Sequence, residues 1–259
     1  MLLLATALGC ALLPTPAVSR VRGDAPQLAE AADLFVDAFW SRETSTAAQA
    51  ALSDGARREL VAQQVADMES RYGTRVGARR LPSQLLLARS PAGAAVGCVG
   101  VEAALVDPIG ERVLTRQQGE ARIVDLFQSM GARERNQYRK LPLLQLTAEL
   151  LPEFKVFGLL ANLAVAPSAR RAGLAQKLCR ACEGVCQEWG LPALLLQVEQ
   201  ENQAARRLYS RIGYGEVWRD GAAAALRLRP GAGGDGGPLF QDVDATLISM
   251  AKAADGDAR

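Results

Sequence analysis

The chain lacks histidine and is poor in aromatic residues, and the first of these absences limits its chemistry. None of its 259 residues is histidine, and Phe, Trp and Tyr together make up 5%. Ser-His-Asp and Cys-His nucleophilic schemes need an imidazole, and so do the usual catalytic zinc sites. The absence favours a reaction in which a nucleophile of the substrate attacks an activated group directly.

Neither sign of charge is in excess. Thirty Lys and Arg residues stand against 28 Asp and Glu residues, and 49% of the chain is hydrophobic. A chain of this length and hydrophobic content can bury one substantial core. A basic stripe with interleaved aromatic residues is also lacking, so we expect no nucleic-acid partner.

The five cysteines do not form a metal or disulfide pattern. Cys179, Cys182 and Cys186 fall at i, i+3 and i+7 on one predicted helix, so they share a face. A metal site would need a fourth ligand such as Cys98 or Cys10, and none stands at a recognised metal spacing. The cysteine spacings of secreted scaffolds are missing too. We therefore predict no metal site and interpret the three thiols as small buried apolar groups.

The amino terminus does not resemble the rest of the chain. Residues 1–14 are apolar, no charge precedes Arg20, and no acidic residue precedes Asp24. The run is too short to span a membrane and lacks the positive region of a signal peptide. We interpret 1–16 as a candidate targeting leader outside the fold and expect no membrane partner.

Hydrophobic periodicity predicts alternating strands and helices over the rest of the chain. The predicted helices cover 25–40, 47–71, 173–189 and 202–212. The predicted strands cover 18–22, 85–89, 95–102, 157–165, 194–198, 215–219 and 246–250.

Two segments interrupt this pattern. Residues 107–155 are long, mixed and partly charged, with helical stretches over 116–139 and 143–150, and we interpret them as an insertion. Either it shapes the choice of substrate or it is a solvated connector, and both alternatives stay open.

Residues 229–243 are predicted as a glycine-rich loop, and 253–259 as a flexible tail. The loop formally contains G-x-G-x-x-G, but no clear strand leads into it and Pro238 follows, so we reject a dinucleotide site.

The most informative segment is 162–175, where a hydrophobic strand runs into a short arginine-glycine turn and then a helix. The turn contains Arg170, Arg171 and Gly173. Backbone N–H groups at a helix start have no partner inside the helix, and the helix dipole adds positive charge there. A helix N-terminus of this kind binds phosphate readily, and Gly173 lets the phosphate approach the backbone closely.

A second motif follows at a fixed distance. After the predicted strand 194–198 comes Asn202-x-x-Ala205-x-x-Leu208-Tyr209, and then Gly213-Tyr214. Together with Arg170-x-x-Gly173-x-Ala175, this motif resembles the GNAT superfamily of acetyl-CoA-dependent N-acetyltransferases. The similarity is strongest over 159–218. The run Asn-Leu-Ala-Val-Ala-Pro-Ser-Ala-Arg-Arg from residue 162 is most similar to plant and algal plastid members.

The resemblance implies an α/β (α+β) GNAT fold in one domain over 17–252. Its central sheet would be mixed, mostly antiparallel, of six or seven strands, splayed between strands 4 and 5 and flanked by helices. With an acidic-poor leader, similarity to plastid members also implies a chloroplast location, with a cytoplasmic one as the alternative.

The resemblance further implies acetyl-CoA as co-substrate and assigns its contacts. The pantetheine arm would lie along Leu163, Ala164 and Val165, with the N–H of Leu163 or Ala164 holding the oxyanion. Asn202 and Ala205 would contact CoA, although Asn202 could instead be a helix N-cap. Tyr209 would contact CoA and act as general acid. The pyrophosphate would meet Arg170, Arg171, Ala172, Gly173, Leu174 and Ala175.

The general base is not assigned by the resemblance. Many relatives have a carboxylate where this chain has Asn162 or Gln197. Glu199 or Glu102 could act through a water, both could be surface or strand-edge charges, or the amine could need no side-chain base.

We expect an N-acetyltransferase that acts by direct attack on a primary amine, with protein N-termini or lysines as acceptors. The alternatives are a small-molecule amine acetyltransferase and a catalytically weak CoA-binding regulatory protein. Nothing in the sequence predicts the oligomeric state.

Overall fold

The computed structural model describes residues 16–40, 53–74, 81–229 and 238–254. The predicted leader up to residue 15, the glycine-rich stretch 230–237 and the tail residues 255–259 lie outside this part. The helices are α1 (Ala25–Trp40), α2 (Asp54–Tyr72), α3 (Arg116–Ser129), α4 (Ala132–Tyr138), α5 (Leu143–Leu150), α6 (Leu174–Glu188) and α7 (Gln203–Arg211). The strands are β1 (Ala17–Arg20), β2 (Ser83–Arg89), β3 (Ala95–Asp107), β4 (Arg112–Val113), β5 (Lys155–Val165), β6 (Ala193–Glu199), β7 (Gly215–Leu228) and β8 (Phe240–Ala253).

The strands form one mixed sheet in the order β1-β2-β3-β5-β6-β8-β7, and the two-residue β4 pairs with β3. Every pairing is antiparallel except that of β5 with β6, which is parallel. The fold class predicted from the sequence is confirmed. The strands predicted as fourth and fifth are β5 and β6, because the sequence did not predict β4.

β5 and β6 separate after a short parallel contact. They pair only at Gly158 with Leu194, Leu159 with Leu195 and Leu160 with Leu196. β5 continues to Val165 and β6 to Glu199. Both strands therefore leave the ladder, and a V-shaped gap opens in the middle of the sheet.

Helices cover both faces of the sheet. α1 and α2 lie on one face, where Leu28 and Met68 pack against Leu85 and Leu87. α6 and α7 lie on the other, where their residues join the largest buried cluster. The side chain of Ser53 accepts a hydrogen bond from the N–H of Ala56 and starts α2.

β7 and β8 form a long arm that reaches beyond the sheet. At its outer end, Leu228 and Leu239 are buried in one cluster with Val36 of α1 and Leu60 of α2. The rings of Trp40 and Phe240 lie with centroids 5.2 Å apart. The arm therefore spans from the sheet to the α1–α2 pair. The sequence predicted only short strands here, over 215–219 and 246–250. The observed strands β7 and β8 are longer, with 14 residues each.

The residues predicted as an insertion fold into β4 and three helices. The stretch predicted as one helix over 116–139 is two helices, because the backbone is extended at Met130 and Gly131. Thr115 caps α3 in a capping box with Gln118. Ile123 of α3 and Leu146 of α5 belong to the main core.

Candidate active site

The gap between β5 and β6 opens into a cleft of about 730 Å³. Leu163 and Val165, which line it, pack against the core under α6, whereas Ala38 and Ala164 belong to the core under α1 and α2. The cleft therefore connects the two faces of the sheet. Its walls come from α1, β5, β6, α7 and the β7–β8 arm.

A β-bulge in β5 shapes the middle of the cleft. Cys98 and Gly100 of β3 pair with Ala164 and Ala161, so one extra residue of β5 bulges between them. Asn162 in this bulge has φ 54°, in the left-handed region.

The register also decides which backbone donors face the cleft. The N–H of Ala166 donates to the carbonyl of Val96 on β3. Because alternate residues of an antiparallel strand point to opposite edges, Ala164 also faces β3, whereas Leu163 and Val165 face the unpaired edge. Of the two oxyanion donors predicted from the sequence, the register favours Leu163 over Ala164.

The turn before α6 has the backbone geometry of an anion cradle. Arg171 and Gly173 both have positive φ, 65° and 75°. The N–H of Lys177 makes a helical bond to the carbonyl of Gly173, so the N–H groups of the preceding turn have no partner in the helix. A Cβ built on Gly173 would meet nothing within 4 Å. The open space, unpaired N–H groups and helix dipole fit a pyrophosphate.

Arg170 ties the cradle to its surroundings. Its Nε donates to the carbonyl of Val165 at 3.1 Å, and Nη2 donates to that of Ala38 at 3.4 Å. The side chain borders the cleft, where its charge reinforces the helix dipole. Arg171 is exposed.

Tyr209 approaches the cleft from α7, in the second motif. The residue is 8% exposed and belongs to the main core. Burial raises the pKa of its phenol, and the neighbouring Cys179 and Cys182 add to the effect. A raised pKa keeps the hydroxyl protonated at neutral pH, which suits a proton donor.

Asn202 also borders the cleft, at the start of α7. Its Oδ1 accepts a hydrogen bond from the N–H of Ala205 at 3.1 Å. The N-cap role given as an alternative is thus observed, and the CoA contact of Asn202 and of Ala205 stays a prediction.

Glu199 lies at the cleft but is held in an ion pair. Both of its carboxylate oxygens accept hydrogen bonds from Arg227 of β7, one of them at 2.9 Å. The pairing raises the pKa of Arg227. Gln197, two residues earlier on the same face of β6, also borders the cleft. The structure therefore offers no unpaired carboxylate among the residues that line the cleft.

Glu102 does not reach the cleft. It is 2% exposed and accepts hydrogen bonds from Arg71 and from the hydroxyl of Tyr72, each at 3.0 Å. The Nη1 of Arg116 in α3 lies 3.6 Å from the Oε2 of Glu102. This placement speaks against Glu102 as the base: its carboxylate joins α2, β3 and α3 in a buried ionic cluster.

The sequence analysis missed one whole wall of the cleft. This wall consists of Phe35, Phe39 and Trp40 from α1, and Leu226, Arg227 and Leu247 from the arm. The alternation Leu226-Arg227-Leu228 was the available signal. It was overlooked because the alanine-rich residues before it carry little strand preference.

Cys179, Cys182 and Cys186 of α6 are buried, as the sequence predicted. Cys98, Cys179, Cys182 and Cys186 are buried free thiols. Burial raises the pKa of Cys98, Cys179 and Cys186 to about 12.

Among the described residues, no group of three or more His, Cys, Asp or Glu residues could hold a metal ion. No helix in that part of the chain is long and apolar enough to cross a membrane.

The mixed sheet with its V-shaped gap between β5 and β6 agrees with the fold that the resemblance implied. Residues 147–214 match the profile of the acetyltransferase (GNAT) family. This segment contains both motifs, and the resemblance predicted from the sequence is confirmed.

One curated relative and several solved structures are similar. GCN5-related N-acetyltransferase 10, chloroplastic, of Arabidopsis thaliana is 42% identical over 59 residues, which are 23% of this chain and 23% of that protein. The chain thus matches less than a quarter of that relative's length.

The solved structures are more distant. A histone acetyltransferase HPA2-related protein from Corynebacterium glutamicum has a TM-score of 0.48 at 18% identity, covering 92% of this chain and 96% of that one. The ribosomal-protein-S18-alanine N-acetyltransferase from Escherichia coli has a TM-score of 0.44 at 15% identity, covering 94% and 98%. Nothing about the substrate follows from these two.

Proposed function

We propose that the protein transfers an acetyl group from acetyl-CoA to a primary amine of a protein or peptide by direct attack. The observation that carries the proposal is that Arg170 and Ala175, on either side of the anion cradle at Gly173, line the same cleft as the protonated Tyr209. The cradle suits the pyrophosphate of CoA. The Tyr209 hydroxyl suits the role of proton donor to the thiolate that leaves when the acetyl group is transferred.

The reaction would begin with attack on the acyl group. The amine nitrogen bonds to the thioester carbonyl carbon, and the carbonyl electron pair moves onto oxygen. The N–H of Leu163 stabilises that oxygen. The C–S bond then breaks as the electron pair returns to the carbonyl, and the thiolate takes the proton of Tyr209. The nitrogen loses its surplus proton to water, and water returns a proton to the Tyr209 phenolate.

The charges at the cleft favour a peptide over a polyamine. Glu199 is the only acidic residue among the described residues that line it, and Arg227 neutralises it. A polycation would therefore find no acidic groove there. The exposed faces of Phe39 and Leu226 suit an acceptor with an apolar surface beside its amine, such as a peptide N-terminus or the stem of a lysine.

A chloroplast location is part of the proposal. It is supported by the name of the Arabidopsis relative, which matches over a limited segment, and by the acidic-poor first residues.

A second function, acetyl-CoA binding without turnover, is favoured by one observation. Glu199 is the only carboxylate among the described residues that line the cleft, and it is paired with Arg227. Under this alternative the cradle would bind acetyl-CoA, and the protein would report its concentration to a partner.

Mass spectrometry distinguishes these functions. The protein is incubated with acetyl-CoA and a panel of peptides with free α-amines or lysines, together with small amines. We expect acetylated peptides with the wild type and none with Gly173→Glu. Product on small amines alone would contradict the peptide acceptor. Acetyl-CoA binding by calorimetry without any product would replace the enzyme with the binding protein.

A further inference from the structure

The side-chain amide of Asn162 is a donor without a partner. Its Nδ2 is buried, and no described residue accepts a hydrogen bond from it. Buried amides in folded proteins are nearly always hydrogen-bonded, because an unpaired one loses its bonds to water without replacement. An exception therefore calls for an explanation, and the residue that carries it is one of those that line the cleft.

The backbone at Asn162 is constrained as well. Its φ of 54° lies in the left-handed region, which asparagine tolerates better than most residues but which is still unfavourable. The β-bulge fixes this conformation, because Ala161 and Ala164 on either side remain paired with β3. Unfavourable backbone conformations that are held by their surroundings are concentrated at functional sites.

The bulge places the amide beside the backbone donor of the reaction. Asn162 directly precedes Leu163, whose N–H faces the unpaired edge of β5. Both lie just beyond Leu160, the last residue that pairs with β6. Two adjacent residues thus bring one backbone donor and one side-chain donor to the point where the strands separate.

We infer that the Nδ2 of Asn162 donates a hydrogen bond to the carbonyl oxygen of the acyl thioester. The inference rests on the proposed function and names a second donor for the same oxygen. When the amine nitrogen bonds to the carbonyl carbon, the electron pair that moves onto this oxygen is stabilised by Leu163 and Asn162 together. Asn162 gives up no proton, so the thiolate still takes its proton from Tyr209.

Two substitutions separate the amide from the backbone that carries it. Asn162→Gly keeps the left-handed conformation without strain and removes the donor. Asn162→Asp keeps the shape and replaces the donor with a negative charge. Loss of one oxyanion donor typically lowers turnover by about 10²–10³-fold. We expect such a fall in kcat for Asn162→Gly and at least as large a fall for Asn162→Asp. The Kd of CoA should stay within about twofold in Asn162→Gly, since CoA lacks the thioester carbonyl.

Infrared spectroscopy tests the contact without turnover. A hydrogen bond lowers the stretching frequency of a carbonyl, so ¹³C-labelled acetyl-CoA should show a lowered frequency when bound to the wild type. In Asn162→Gly part of that lowering should disappear. An identical bound frequency in both proteins would overturn the inference, as would a kcat of Asn162→Gly within threefold of the wild type.

The two proposals fail in different ways. If the wild type binds acetyl-CoA and yields no product with any amine, the proposed function fails, and the infrared result still decides whether Asn162 contacts the carbonyl. If the wild type is active and Asn162 makes no difference in either measurement, only the inference about Asn162 fails.

Discussion

Two exposed glycines share a backbone conformation and differ in what surrounds them. Gly173 and Gly93 have φ of 75° and 87°, and a Cβ on either would meet nothing within 4 Å. Gly93 lies in the turn between β2 and β3, whereas Gly173 starts α6 at the anion cradle. A substitution should therefore have a similar backbone cost at both glycines, but only Gly173 lies where the pyrophosphate is expected to bind.

We predict that Gly173→Glu abolishes acetyl-CoA binding, because the side chain fills the cradle with bulk and negative charge. Gly93→Glu carries a similar backbone strain of about 1–2 kcal/mol and should bind acetyl-CoA as the wild type does. Isothermal titration calorimetry on both variants measures this. Normal affinity in Gly173→Glu would show that the pyrophosphate binds elsewhere.

Tyr209 and Tyr214 form a matched pair, with ring centroids 5.9 Å apart. Only Tyr209 lines the cleft, whereas the hydroxyl of Tyr214 donates to Glu183. We predict that Tyr209→Phe lowers kcat by about 10²–10⁴-fold with little change in acetyl-CoA affinity. Tyr214→Phe should keep kcat within about twofold. Equal turnover in Tyr209→Phe and the wild type would remove the general acid.

At the scale of elements, α6 and β3 each carry a row of small residues that the packing requires. Cys179, Cys182 and Cys186 let α6 lie close to the sheet, where a Cβ on Gly158 would come within 2.2 Å of the Sγ of Cys186. On β3, Gly100 leaves room for Tyr72, which reaches over it to Glu102. Both contacts join a helix to the sheet.

We predict that the four described cysteines are unreactive in the folded protein. Burial raises their pKa, to about 12 for Cys98, Cys179 and Cys186, so the thiolate is scarce at pH 8. In a Cys10→Ser background, a disulfide reagent should label no thiol natively and four after denaturation. Native labelling would contradict the burial.

The same shift gives the stability a pH dependence. In the unfolded chain these thiols have a pKa of about 8.5, so that state loses protons first as the pH rises. Their contribution is fully present below about pH 8.5 and is lost progressively up to the folded value of about 12.

We predict that Gly100→Ala destabilises the protein, whereas Gly184→Ala stabilises it. A Cβ on Gly100 would lie 1.9 Å from the hydroxyl oxygen of Tyr72, so the ring must move and the bond to Glu102 breaks. We expect a loss of about 2–3 kcal/mol. Gly184 lies in α6 with nothing within 4 Å of a Cβ, and alanine there should add about 0.5–1 kcal/mol. Urea unfolding measures both. Equal stability of the two variants would show that Tyr72 does not pack over Gly100.

The sequence predicted those elements whose signal is local. The helix over 25–40 has the predicted bounds, because its apolar residues repeat at helical spacing and face one side. The cradle was predicted because a strand, a glycine and a helix follow one another within a few residues. The left-handed conformation of Gly173 and the free N–H groups of α6 arise from those same residues.

The parts that were not predicted depend on distant segments. β7 includes the alanine-rich residues 222–225, whose strand conformation comes from pairing with β8 rather than from preference. The pairing of Glu199 with Arg227 joins residues 28 positions apart on strands that are not neighbours in the sheet. The ionic cluster of Glu102 likewise joins three elements. A single sequence shows that Glu199 and Glu102 carry a charge, but it does not show which residues they pair with.

At the scale of the whole molecule, the cleft lies at the gap between β5 and β6, and elements from both faces of the sheet line it. The cradle lies beside α6, under which Leu163 and Val165 pack. The wall formed by α1 and the arm lies on the side where Ala38 and Ala164 pack. The proposed function requires that acetyl-CoA and the acceptor occupy this cleft together.

Direct attack has a kinetic signature. Under the proposed function both substrates occupy the cleft together, and the acetyl group never rests on a side chain of the protein in between. Initial rates measured at several fixed concentrations of acceptor should therefore give intersecting reciprocal plots. Parallel plots, or a protein mass increased by one acetyl group in the absence of acceptor, would instead indicate two half-reactions with an acetylated protein between them.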